Sequence, residues 1–200
     1  MKLVGPWFSP FTRRVGVTLN LLNMPFEHIA LHAFEQKDEV KRFNAMGKVP
    51  ILVLGDGETL IDSSAIADYL DELVGPERAL TPPSGAARRR VQQLTVRALA
   101  VTEKAAAIYC ENAKDVPGAA ALDRVDAAGQ AFAGLDELER AAGPGWMAEG
   151  RLTHADIATV IAVQTVQFIL QEKFPVERFP KLIALSTRAM ALPAFANTVA

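Results

Sequence analysis

Two hydrophobic rhythms divide this chain. Up to about residue 80, short apolar runs alternate with turn residues and with stretches whose apolar positions recur at helical spacing. MKLVG predicts a first strand, Pro10 to about Asn23 a helix, and Glu27 to Leu31 a second strand. Ile51 to Leu54 and Thr59 to Ile61 flank GDGE, whose two glycines suit the turn of a hairpin. Ser63 to Leu73 returns to helical spacing. The order β-α-β-α-β-β-α predicts a small mixed domain whose sheet carries helices on both faces, with the weakest pattern between Leu31 and Val49.

Beyond Leu73, the prolines 76, 82 and 83 and the glycines 75 and 85 oppose a continuous helix and suit a surface connector. The boundary is placed near Leu80, giving domains 1–80 and 81–200. In the second, alanine-rich helical patterns are interrupted near Pro117-Gly118 and by GPG at 143–145, which predicts four or more packed helices. Thr153 followed by Asp156 marks a helix start: a hydroxyl caps open backbone donors and an acid lies at the positive end of the macrodipole. The run from Ile157 to Leu170 is apolar on more than one face, so it predicts a helix through the centre of this domain. With fourteen residues, including Gln164 and Gln167, it is shorter than a membrane span.

Composition narrows the function classes. A chain of 200 residues buries roughly 70% of its extended surface, enough for a sizeable core. Twenty-one basic against 23 acidic residues give a net charge of -2, which excludes the basic field that gathers nucleic acid. One cysteine, Cys110, excludes an internal disulfide framework and a cysteine-based zinc site, and on an apolar helix it reads as a small core residue. His28, His32 and His154 read as core or surface polar residues. The opening MKLVGPWFSP has neither a basic stretch followed by a long apolar run nor a cleavage pattern, so a cytoplasmic chain is expected.

Three places in the first domain carry chemistry. Ser9-Pro10 suits a helix start, and Ser9 reads in two ways: as a plain cap, or as a hydroxyl that donates to a thiolate at the helix mouth. Thr12 is the reserve hydroxyl. Val49-Pro50, at a strand entrance, is either an ordinary trans proline or a cis peptide that turns the Val49 backbone towards a ligand. In Asp62-Ser63-Ser64, Asp62 or Ser63 caps the next helix, leaving the other side chain and the Ser63 amide for a carboxylate or an ammonium.

In combination, SPFTRRV at 9–15, KVPIL at 48–52, DGETLIDSSAIADYLDE at 56–72, LTHADIATV at 152–160 and FPKLIALSTRAMALPAF at 179–195 resemble the glutathione transferase family, in its serine-type, bacterial-like form. The last two segments look like the family's central helix cap and its terminal helix. The resemblance implies a thioredoxin-like N-terminal domain, an all-helical C-terminal domain and a homodimer. It implies glutathione as cosubstrate, with no metal: Ser9 at the sulfur, Val49 as the backbone clamp, Pro50 as the cis proline, and Asp62 with Ser63 at the γ-glutamyl end. Asp62 stands where the family usually has a longer glutamate. Lys37, or else Gln36 or Lys41, is assigned to the glycyl carboxylate.

The implied reaction is attack of the glutathione thiolate on an apolar electrophile in a detoxification role, with Trp7, Phe8, Phe11, Arg97, Ala105 and Tyr109 as candidate electrophile contacts. Two other readings stand beside it. One is glutathione-dependent disulfide or peroxide reduction, which serine at position 9 disfavours because it forms no mixed disulfide. The other is an inactive glutathione-binding or structural protein.

Overall fold

The computed structural model describes residues 1–112 and 119–199, so the expected break at Pro117-Gly118 lies outside the described residues. It divides into two compact units, Met1–Pro83 with Met190–Ala200, and Ser84–Ala189. Relative to the expected domains 1–80 and 81–200, the last eleven residues change sides. The reason lies in contacts with residues far back along the chain: Phe195 and Thr198 are fully buried, the Asn20 side chain donates to the Ala194 carbonyl, and Arg13 donates to Thr198 Oγ1 at 3.4 Å.

In the first unit, β1 (Lys2–Val4), α1 (Pro10–Leu21), β2 (Glu27–Ile29), α2 (Lys37–Lys41), β3 (Ile51–Val53), β4 (Thr59–Ile61) and α3 (Ser63–Val74) follow in order. The sheet order is β2-β1-β3-β4, with β1 parallel to β2 and antiparallel to β3, and β3 antiparallel to β4. Strand alternation places Val4 and its partner Ile51 on the face that packs with Val40 of α2. Leu3 and its partner Leu52 therefore point the other way, and both are fully buried. Helix α1 ends earlier than its apolar pattern predicts because Asn23, at φ 55°, turns the chain out of the helix. The weakly patterned stretch contains the single short helix α2 and a loop held by Asn44, which donates to the Lys48 carbonyl at 2.9 Å and accepts from Met46 N–H at 3.1 Å. The connector is anchored too, since the Asp71 carboxylate accepts from the N–H groups of Leu80 and Thr81.

The second unit is helical among the described residues: α4 (Gly85–Asn112), α5 (Ala119–Ala141), α6 (His154–Leu170) and α7 (Pro180–Met190). Helix α6 is buried almost all round through its first ten residues, which makes it the central element. The capping box at its start is complete. Asp156 Oδ2 accepts from the Thr153 N–H and hydroxyl, both at 2.8 Å, and Oδ1 accepts from Met147 N–H at 2.6 Å. Burial raises the Asp156 pKa, and these donors oppose the rise. Glu139 of α5 caps α7 through the N–H groups of Lys181 and Leu182. The expected single terminal helix is two, because the chain leaves α7 at Met190 and restarts at Pro193 as α8 (Pro193–Ala196). Cys110 is half-buried, not a core residue.

Candidate functional site at one end of the sheet

Register alone gathers the candidates of the first unit. Val4 at the end of β1 pairs with Ile51 at the start of β3, which pairs with Ile61 at the end of β4. Gly5, Pro50 and Asp62 are the next residues out, so all three lie beyond the same end of the sheet. Helices α1 and α3 both begin there, with their unpaired backbone donors at the same end.

Ser9 is the N-cap of α1 with Pro10 at the first helical position, and its Oγ accepts from Thr12 N–H at 3.3 Å. An oxygen occupied this way keeps its own proton, so the same hydroxyl can cap the helix and donate outward. The two readings of Ser9 are therefore compatible. Thr12 does not serve as a substitute: it is fully buried, and its Oγ1 is turned into the fold against Gly5. Gly5 itself, at φ 133°, is wedged so closely that a Cβ there would fall 2.3 Å from Thr12 Oγ1 and 2.9 Å from Val49 Cβ. That close approach is what sets the first turn of α1 beside Val49.

The Val49-Pro50 peptide is cis. Val49 is half-buried, and neither its N–H nor its C=O finds a partner among the described residues. A donor and an acceptor left open on one residue at a strand entrance fit the backbone of an extended peptide, which supplies both complements.

Asp62 settles the capping question for α3. It is the N-cap, at φ 65° and ψ 131°, and Oδ1 accepts from Ser64 N–H at 2.7 Å. An L-residue in that conformation is strained, and the exposed carboxylate keeps Oδ2 for another partner. Ser63 is 3% exposed, and its hydroxyl is bound by a residue that sequence reasoning missed. Arg14, also 3% exposed, donates from Nη1 to Ser63 Oγ and to Ser64 Oγ, each at 3.1 Å. Burial pulls the Arg14 pKa down to about 10, while the charges of Asp62 and Asp71 hold it up, so the guanidinium is charged at neutral pH. Its burial is visible only in the fold: positions 12 and 14–19 of α1 are all buried, and a charged residue inside such a run has to find partners in the interior.

The remaining candidates separate. Lys37 and Lys41 are exposed on α2, with Gly47 close to the stems of both, and Lys41 lies 3.9 Å from Asp38. Gln36 is engaged, its Oε1 accepting from His32 N–H at 3.1 Å. Trp7 is occupied in packing: it stacks on His28 at 3.7 Å and covers Gly16. Phe8 is exposed and Phe11 half-buried at the mouth of α1. In the second unit, Arg97 pairs with Glu137 at 3.1 Å, Tyr109 is exposed, and Ala105 is fully buried and offers no accessible surface. Among the described residues, no group of three or more His, Cys, Asp and Glu is placed to hold a metal ion, and no helix is long and apolar enough to cross a membrane.

A four-stranded mixed sheet with a cis-proline loop, joined in one chain to a helical unit, is a thioredoxin-like domain followed by an all-helical one. Residues 3–78 match the glutathione S-transferase N-terminal domain and residues 105–197 its C-terminal domain. The chain belongs to the glutathione transferase superfamily. It is similar to the uncharacterized GST-like protein YibF of Escherichia coli, at 29% identity over 99% of this chain and 98% of YibF. A probable maleylacetoacetate isomerase of Vibrio cholerae is 30% identical over 98% of this chain and 93% of its own length. Among solved structures, a glutathione S-transferase from Methylobacterium radiotolerans in complex with glutathione sulfonate superposes with a TM-score of 0.91 at 28% identity, covering 99% of this chain and 93% of that one.

Proposed function

We propose that this protein is a serine-type glutathione transferase that uses the glutathione thiolate against an apolar electrophile. The observation that carries this reading is the set of complements beyond one end of the sheet: a hydroxyl with a free proton at Ser9, an open N–H and C=O at Val49, and an acid beside a helix mouth at Asp62 and Ser63. Glutathione is an extended peptide with a thiol in the middle and an α-amino acid at one end, and each part meets its complement. The backbone of the cysteinyl residue pairs with Val49 next to Pro50. The γ-glutamyl ammonium is held by Asp62 and the carboxylate by the α3 mouth at Ser63, while Lys37 serves the glycyl carboxylate as a point charge.

Ser9 then donates to the sulfur. A hydrogen bond to a charged acceptor contributes about 1.5–3 kcal/mol, which lowers the bound thiol's pKa by about one to two units. The thiolate attacks an electrophilic carbon; the new C–S bond forms as a leaving group departs, or as an adjacent carbon takes up a proton. Phe8 and Phe11, at the mouth of α1, offer apolar surface to the electrophile. A homodimer in the cytoplasm completes the proposal.

Isomerisation is the second reading, favoured by the similarity to the probable isomerase along nearly the whole chain. There the thiolate adds to a conjugated double bond, the resulting single bond rotates, and the thiolate leaves unchanged. The test is glutathione binding by calorimetry followed by turnover with aromatic halides, epoxides, unsaturated carbonyls, peroxides and cis-configured unsaturated diacids. Conjugate formation supports transfer, and isomer formation without loss of glutathione supports the second reading. Binding with no turnover on any class identifies a binding protein, and absence of binding overturns both enzymatic readings.

A further inference from the structure

The mouth of α3 is built on a buried cation. Arg14 Nη1 carries two N–H groups and lies 3.1 Å from both the Ser63 and the Ser64 hydroxyl oxygens. A guanidinium has no acceptor, so both oxygens accept from it, and the single proton left on each is directed to something else. The backbone adds to the pattern. Ser64 N–H is taken by Asp62 Oδ1, while the N–H groups of Ser63 and Ala65 have no partner among the described residues. Two N–H and two O–H groups are thus left to donate beside a fixed positive charge, next to the exposed Asp62 carboxylate.

We propose that Arg14 is a positioning residue: its guanidinium takes one lone pair on each of the Ser63 and Ser64 oxygens and repels their protons, which biases both hydroxyls towards donating and so favours a carboxylate at the α3 mouth. Ser64 thereby becomes a second hydroxyl contact for that carboxylate, next to Ser63. A serine hydroxyl left to itself rotates to donate or accept as its neighbour requires, and would bind an amide or an alcohol equally well. With Arg14 beneath, an acceptor is favoured over a donor, and a charged acceptor fits best. Asp62 alongside takes an ammonium. The pair of charges reads the free α-amino-acid end of a ligand, as distinct from its peptide middle. This inference rests on glutathione being the ligand, whose γ-glutamyl residue presents that end.

The experiment is a ligand-against-variant cycle by titration calorimetry, using glutathione and γ-aminobutyryl-cysteinyl-glycine, the same tripeptide without its α-carboxylate. The wild-type protein binds glutathione more tightly than the analogue. In Arg14→Gln the glutathione affinity falls by about tenfold or more, and the analogue's affinity stays within about twofold. Arg14→Lys keeps the charge without the forked Nη1 and restores part of the loss. Ser64→Ala, at an exposed position, shows a smaller loss, about threefold, again confined to glutathione; it decides the matter should the Arg14 variants fail to fold. Equal losses for the two ligands, or none for either, overturn the role of Arg14. A wild-type protein that binds neither ligand overturns the glutathione reading itself, which is a different result.

Discussion

Ser9→Ala separates capping from chemistry, because the two roles of the hydroxyl carry different energies. As a cap, Ser9 accepts one N–H at 3.3 Å, longer than the usual N–H···O distance. Its loss therefore belongs at the low end of capping effects, about 0.5 kcal/mol. In a chain of this size that moves the melting temperature by only about 1–2 °C. As a donor to sulfur, the same hydroxyl contributes about 1.5–3 kcal/mol, so its removal raises the bound thiol's pKa by about one to two units. Below that pKa the thiolate fraction, and with it the rate of conjugation, falls about ten- to a hundredfold. The assay is the ultraviolet absorbance of the bound thiolate against pH for wild type and variant, with binding followed by calorimetry and folding by melting. The expected result is a displaced titration, glutathione affinity within about threefold and near-unchanged melting. An undisplaced titration refutes the reasoning and moves the role to the backbone donors of the α1 mouth, since Thr12 faces inward.

Other substitutions test the geometry around this site and the core of the second unit. Gly5→Ala forces a Cβ against Thr12 and Val49 at a φ of 133°; it is expected to cost about 2 kcal/mol or more in urea unfolding and to weaken glutathione binding. Gly16→Ala places a Cβ 2.4 Å from the Trp7 ring, and a lowered melting temperature with loss of the native tryptophan emission is the expected readout. Asp156→Ala strands three buried donors and is expected to lose about 3–5 kcal/mol, measured by urea unfolding; a loss below about 1 kcal/mol would contradict the capping account. The Asp156 pKa is raised in the fold, so across the window just above the ordinary carboxylate range the native state holds a proton that the unfolded chain has released. Stability from this group therefore falls as pH rises through that window. The difference between wild type and Asp156→Asn, followed by unfolding at several pH values, should change in that sense. Lys37→Ala, at an exposed position, should leave melting unchanged and weaken glutathione binding severalfold, with the deficit shrinking at high salt.

What the amino-acid sequence determined was local in origin. Alternating apolar residues with GDGE between them fixed the β3-β4 hairpin, Ser9-Pro10 and Thr153 with Asp156 marked helix starts, and GPG at 143–145 marked the break before α6. Each signal acts within a few residues, through dihedral preference or a hydrogen bond to a near neighbour, so it is legible without the fold. Whatever depended on partners far along the chain was decided only by tertiary structure. Arg14 looks like one more surface charge in SPFTRRV until α3 is packed beside α1 and supplies Ser63 and Ser64, some fifty residues away. Thr12 reads as a reserve hydroxyl until the fold buries it against Gly5, and only the fold stacks Trp7 on His28 and sets it over Gly16. The last eleven residues joined the first unit for the same reason: their buried side chains find partners around α1, and no pattern within the segment itself records where those partners lie.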